Sequence, residues 1–118
     1  MVKPILFLLK NGFLDPAVGP DRFYCPYCLR VEGMLAVFPK LRDKLDIRYV
    51  DFLKPRGQLP ELAGHANQSC PQLILPDGDD ELSMAKSVDA QNGARRIEDT
   101  TAIQDYLSER FGLSHRHP

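Results

Sequence analysis

The sequence predicts an α/β domain, a mixed sheet flanked by helices, and three observations carry that expectation. Apolar residues fill 4–9 and follow Gln72 through 73–75, and Ile47, Tyr49, Val50 and Phe52 mark 46–52, with the length and composition of strands. The stretches after Pro26 and before Gly112 repeat apolar residues at helical spacing. The segments also interleave in the order β–α–β–α–β–β–α, and a sheet covered by helices buries the apolar stripes of both.

Taken in order, the run at 4–9 is a buried strand that Asn11-Gly12 ends. Residues 12–23 hold two Gly and two Pro with Asp15 and Asp21, the composition of a loop. Pro26 then suits the first position of a helix, where its missing N–H breaks no bond. Leu29, Met34, Leu35, Val37 and Phe38 supply its apolar face, and Pro39 stops it. The interrupted basic cluster Lys40, Arg42 and Lys44 reads as the solvated end of a helix. After the strand at 46–52, Lys54-Pro55-Arg56-Gly57 is a turn, and a short helix follows at 59–66. The strand at 72–75 ends at Pro76-Asp77-Gly78-Asp79, a turn in which Pro fixes one φ and Gly frees another. Residues 80–93 fit either a helix through Leu82, Met84, Ala85 and Val88 or an insertion over the sheet, and 94–98 fit a short edge strand. The last helix starts at Asp99 or Thr100, buries Ala102, Ile103, Tyr106, Leu107 and Phe111, and stops at Gly112. One domain over 1–113 with a flexible tail at 114–118 is the resulting organisation.

Composition narrows the function. The 118 residues are 43% hydrophobic and 26% charged, and such a chain buries roughly two-thirds of its unfolded surface without metals or disulfides. A net charge of −1 without a basic stripe argues against a nucleic-acid partner. The apolar run at 5–9 is far below the roughly twenty residues that span a bilayer, and no secretory signal pattern occurs. The expected setting is cytoplasmic, without membrane contact. There, two of the three cysteines in a C-x-x-C pair indicate redox or metal chemistry rather than a structural staple.

That pair is Cys25-Pro26-Tyr27-Cys28, between a strand with its loop and an amphipathic helix. Free N–H groups and the positive dipole end of a helix N-terminus stabilise a thiolate, the nucleophilic form of cysteine. Cys25 would face solvent there, with Cys28 one turn away to attack a mixed disulfide. The motif resembles that of the glutaredoxins, within the thioredoxin-like class. The resemblance implies a thioredoxin-like fold with a four-stranded mixed sheet, Cys25 as nucleophile and Cys28 as resolving cysteine. It further implies a cis-proline at Pro71, in Ser69-Cys70-Pro71-Gln72, whose neighbouring backbone pairs with glutathione or a substrate. Glu98-Asp99-Thr100-Thr101-Ala102-Ile103 is similar to the end of a glutathione-transferase N-terminal domain, which implies that Asp99 and Thr100 hold the γ-glutamyl end of glutathione. Tyr27 borders the same groove or supports the active loop. Glutathione is thus the implied co-substrate, a glutathionylated or disulfide-bearing protein the implied partner, and no bound cofactor or metal is expected.

The chain departs from that pattern through long insertions before CPYC and between the third and fourth strands, a missing diglycine before the acidic position, and Cys70 where a small aliphatic residue usually stands. These departures resemble a bacterial branch of thioredoxin-like proteins more than an ordinary glutaredoxin. Two other functions stay open on the residues: a noncatalytic binding or regulatory module, and a metal protein using Cys25, Cys28 and Cys70 with His65 or a small ligand as the fourth. His65 alone reads as a surface residue, Tyr106 as helix packing, and Asp77, Asp79 and Asp80 as a solvated turn. No lysine-bearing phosphate loop or dinucleotide fingerprint is present.

Overall fold

The apolar run near the start forms β1 (Ile5–Leu9), the strand on which the sheet is built in a computed structural model that describes residues 2–118. Side-chain alternation sends Leu6 and Leu8 to one core and Ile5 and Phe7 to another, one on each side of the sheet. β1 lies between β4 (Asp46–Val50), parallel from Ile5↔Asp46 to Leu9↔Val50, and β5 (Gln72–Leu75), antiparallel with Ile5 opposite Ile74. β7 (Arg95–Ile97) pairs with β5, and β6 (Val88–Asp89) with β7, so the order is β4-β1-β5-β7-β6. The four expected strands are present with one short addition. Because β6 covers its outer side, β7 is not the edge strand its charged sequence suggested.

The parallel β1–β4 pair requires a crossover, and α1 (Pro26–Val37) provides it. Its buried side is Cys28, Val31 and Leu35. Leu29 and Val37 were expected on this face but are 54% and 70% exposed. At about 100° per residue, they rotate away from the line through 28, 31 and 35. The helix ends where the Phe38 N–H bonds Met34 O, immediately before Pro39. The basic cluster beyond it belongs to a separate turn of helix, α2 (Leu41–Lys44). On the opposite side of the sheet, α3 (Leu59–Ala63) covers the second core through Leu59 and Ala63, shorter than the stretch expected to Ala66.

α5 (Thr100–Phe111) packs beside α1 through Ile103, Tyr106 and Leu107. The Asp99 carboxylate caps it by accepting the Ala102 N–H at 2.9 Å, and Gly112 ends it in the left-handed region at φ 65°.

Both insertions are ordered. Residues expected to be a loop before CPYC contain a hairpin of β2 (Phe13–Leu14) and β3 (Arg22–Phe23), and Phe13 stacks on Phe52 at 4.6 Å. The later insertion forms α4 (Glu81–Lys86) and β6. Asp80, read from sequence as merely solvated, caps α4 and pairs with Arg110. The Ser83 hydroxyl bonds the Asp80 carboxylate at 2.6 Å and lies 3.2 Å from the Tyr106 hydroxyl, which accepts from Arg110 Nε at 3.0 Å. Tyr106 therefore does more than pack: it ties α4 to α5.

Hydrogen bonds from Ser83 and the Arg110 guanidinium lower the Asp80 pKa from 3.8 to about 2. Its folded-state charge contributes stability fully above about pH 4 and loses that contribution as pH falls toward 2. Because the carboxylate is partly open to solvent, about 1 kcal/mol or less is expected. Asp80→Asn should therefore be less stable than wild type in urea melts at pH 7, with the gap closing near pH 2. A gap of constant size would contradict this assignment.

Candidate functional site

Three chain segments meet at one end of the sheet: the C-terminal end of β1 with the start of α1, the loop before β5, and the β7–α5 junction. Cys25 is the N-cap of α1, with extended backbone ahead of Pro26 at the start of the helix. Its Sγ accepts the Cys28 N–H at 3.1 Å, one of the donors that a helix start leaves without a backbone partner. On its other side the Cys25 thiol faces the Cys70 carbonyl at 3.7 Å. The Cys70–Pro71 bond is cis, as the resemblance implied, and so is Lys54–Pro55. Cys25, Cys28, Cys70 and Pro71, separated by up to 46 positions, thus form one constellation.

The thiols differ in environment. Cys25 is half-buried, whereas Cys28 is 4% exposed within the core that also holds Val31 and Leu35. Burial pushes the Cys28 thiol pKa up strongly; its hydrogen bond with Cys25 adds to the rise and the Leu9 backbone opposes it. Cys28 is therefore a neutral thiol near pH 7. Burial also raises Cys70, to about 11, against the opposing charge of Arg56. Iodoacetamide at neutral pH is expected to modify Cys25 in the native protein and Cys28 only after denaturation. Equal native rates at both sulfurs would contradict the burial difference.

Arg56 stands in a segment whose composition reads only as a turn. Gly57 lets that turn close against the sheet: its φ is +51°, and a Cβ there would lie 2.8 Å from Val50 Cγ1. Arg56 donates through Nε to Phe52 O at 2.8 Å and through Nη1 to Gln68 O at 3.0 Å, and its guanidinium lies over the Phe52 ring. The first insertion thus reaches the site through a stack of Phe13, Phe52 and Arg56. Two buried glutamines shape the adjoining loop. Gln68 accepts the Arg56 backbone N–H, and Gln72 donates to Asn67 O and Ser69 O at 3.0 Å each. Gln72 is the one signal available beforehand, a lone amide in an otherwise apolar strand.

The remaining expected residues divide. Tyr27 is 59% exposed in the first turn of α1, open to a ligand beside Cys25. Continuing the β5–β7 register beyond Leu73↔Ile97 sets Asp99 opposite Pro71, so the α5 N-terminus opens at the same end of the sheet. Asp99 is exposed while capping that helix, and Thr100 is only 8% exposed. His65 is exposed and joins no cluster: among the described residues, no group of three His, Cys, Asp or Glu side chains is arranged to hold a metal ion. The three-thiolate arrangement considered from sequence is therefore not assembled.

The fold and the cysteine pair define the class: an α/β domain of thioredoxin-like arrangement with extra insertions, carrying two cysteines at the start of its first long helix. The chain belongs to the family DUF3088, "Protein of unknown function", whose model matches residues 3–115. No curated protein and no solved structure matches it. No helix among the described residues is long and apolar enough to cross a membrane.

Proposed function

We propose that this protein is a glutathione-dependent thiol–disulfide oxidoreductase working in a reducing, cytoplasmic setting. The observation that carries this reading is the Cys25 sulfur, half-buried at the cap of α1, bonded by the Cys28 N–H and facing the carbonyl before cis-Pro71. The Cys25 thiolate attacks the glutathionyl sulfur of a mixed disulfide. A Cys25–glutathione disulfide forms, the original S–S bond breaks, and the substrate leaves as a thiolate that takes up a proton. A second glutathione thiolate attacks the glutathionyl sulfur, freeing Cys25 and leaving as glutathione disulfide. Alternatively Cys28 resolves the intermediate.

Backbone groups beside Pro71 pair with the peptide part of glutathione in this reading, and Tyr27 borders the groove. The exposed Asp99 carboxylate accepts from the γ-glutamyl ammonium, while Thr100 contributes its backbone N–H to the γ-glutamyl carboxylate. Cys25 is the sole thiol of the double variant Cys28→Ser, Cys70→Ser. Incubated with glutathione disulfide, that variant should gain one glutathionyl group on Cys25, removable by dithiothreitol. A folded variant that stays unmodified would remove the reading.

A further inference from the structure

We propose that Gln72 and Arg96 are positioning residues for the Cys25 site, two polar side chains on one face of the sheet that hold the loop before β5 in the shape a substrate peptide meets. This rests on the oxidoreductase reading above and names what sets the groove of the same site.

Among the described residues, two buried side-chain polar atoms have no hydrogen-bond partner, Gln72 Oε1 and Arg96 Nε. Such atoms are few in a folded protein, because each loses water without gaining a bond. Side-chain alternation puts both residues on the face of the sheet that carries Phe7 and Ile74. Gln72 stands opposite Phe7, and Arg96 opposite Ile74. Gln72 is wholly buried and the Arg96 side chain is 13% exposed. An apolar side chain of similar length would fill either place without an unpaired atom.

Both side chains act on one loop. Gln72 Nε2 reaches back past Pro71 and donates to Asn67 O and Ser69 O, at 3.0 Å each. Arg96 Nη1 donates to Glu98 Oε2 at 2.9 Å, and the Ser69 hydroxyl donates to that same oxygen at 3.2 Å. Ser69 is thus held twice, through its carbonyl by β5 and through its hydroxyl by the β7–α5 junction. The unpaired atoms follow from that reach, since each side chain bonds toward the loop with one end of its polar group and leaves the other enclosed.

The loop so held leads directly to the reactive sulfur. Gln72 engages Asn67 O and Ser69 O, Arg56 engages Gln68 O, and the next carbonyl, that of Cys70, faces Cys25 Sγ at 3.7 Å. In the proposed reaction the backbone beside Pro71 pairs with the peptide part of glutathione. A loop fixed beforehand spares the substrate the cost of ordering it. Gln72 and Arg96 therefore act on substrate binding through the loop, without touching the reacting atoms.

Full-length Gln72→Met and Arg96→Met are compared with wild type in glutathione-dependent turnover of a glutathionylated peptide and in urea melts. KM for the peptide should rise roughly tenfold in Gln72→Met and about threefold in Arg96→Met, with kcat changed less than KM, the scale and pattern of lost binding order. The urea midpoint should not fall, because an unpaired buried atom leaves with each side chain. Should Gln72→Met fail to fold, Arg96→Met alone decides. Unchanged KM in the folded variants would overturn the proposal and leave Cys25 as nucleophile. A lowered midpoint with kcat and KM unaltered would assign both side chains to packing alone and overturn it too. Wild type no faster than glutathione alone would remove the oxidoreductase reading itself, and this proposal with it.

Discussion

Leu6→Ala is expected to destabilise the protein by about 3 kcal/mol, measured as a shift of the urea midpoint at unchanged slope. Leu6 is wholly buried on β1, between β4 and β5, and shares its core with Val31 and Leu35 of α1 and Ile103 and Leu107 of α5. Truncation removes apolar contacts and leaves a cavity that cannot close easily, because strands on both sides and helices above hold its walls. Total stability for a domain is about 5–15 kcal/mol, so the loss is a large share of it. Leu29→Ala is the matched control: the same chemical change on an exposed helix position should cost about 0.5 kcal/mol or less. Similar losses at both positions would contradict the assigned packing.

Cys25→Ser is expected to reduce glutathione-dependent turnover of a mixed disulfide to the rate of glutathione alone. Serine keeps the size of the side chain but cannot form the Cys25–glutathione disulfide, so the route loses its intermediate. Cys28→Ser should behave differently, with turnover within about tenfold of wild type, because an external glutathione thiolate can resolve that intermediate. Cys28 lies in the core as a neutral thiol, and its backbone N–H, which bonds the Cys25 sulfur, survives the substitution. Equal losses in the two variants would make both thiols obligatory.

The sequence announced the parts of this fold that rest on local patterning. β1 followed from an apolar run, β5 from another ending at a Pro-Gly turn, and α5 from Asp99 at its start and Gly112 at its end. The CPYC pair announced the start of α1, and resemblance brought Pro71 to the same place. The hairpin of β2 and β3 had no such signal: each strand is two residues long, too short to show a period, and Phe13 finds its partner Phe52 far along the chain. β6 is equally short, so the cover it gives β7 was equally hidden.

The site was legible in a similar way. Its sulfurs and the proline carried motif-like spacing, whereas Arg56 looked like an ordinary turn residue. Its importance comes from neighbours at Phe52, Gln68 and Cys70, brought together by the return of the chain before β5. Asp80 was hidden for the same reason, since Arg110 lies 30 positions away on another helix.

Steady-state release of glutathione from a glutathionylated peptide, by fully reduced wild type with Cys25→Ser alongside, tests the central claim most directly. The account predicts saturable, glutathione-dependent release by wild type and background release by the variant. Folded, reduced wild type that performs no better than glutathione alone would contradict it.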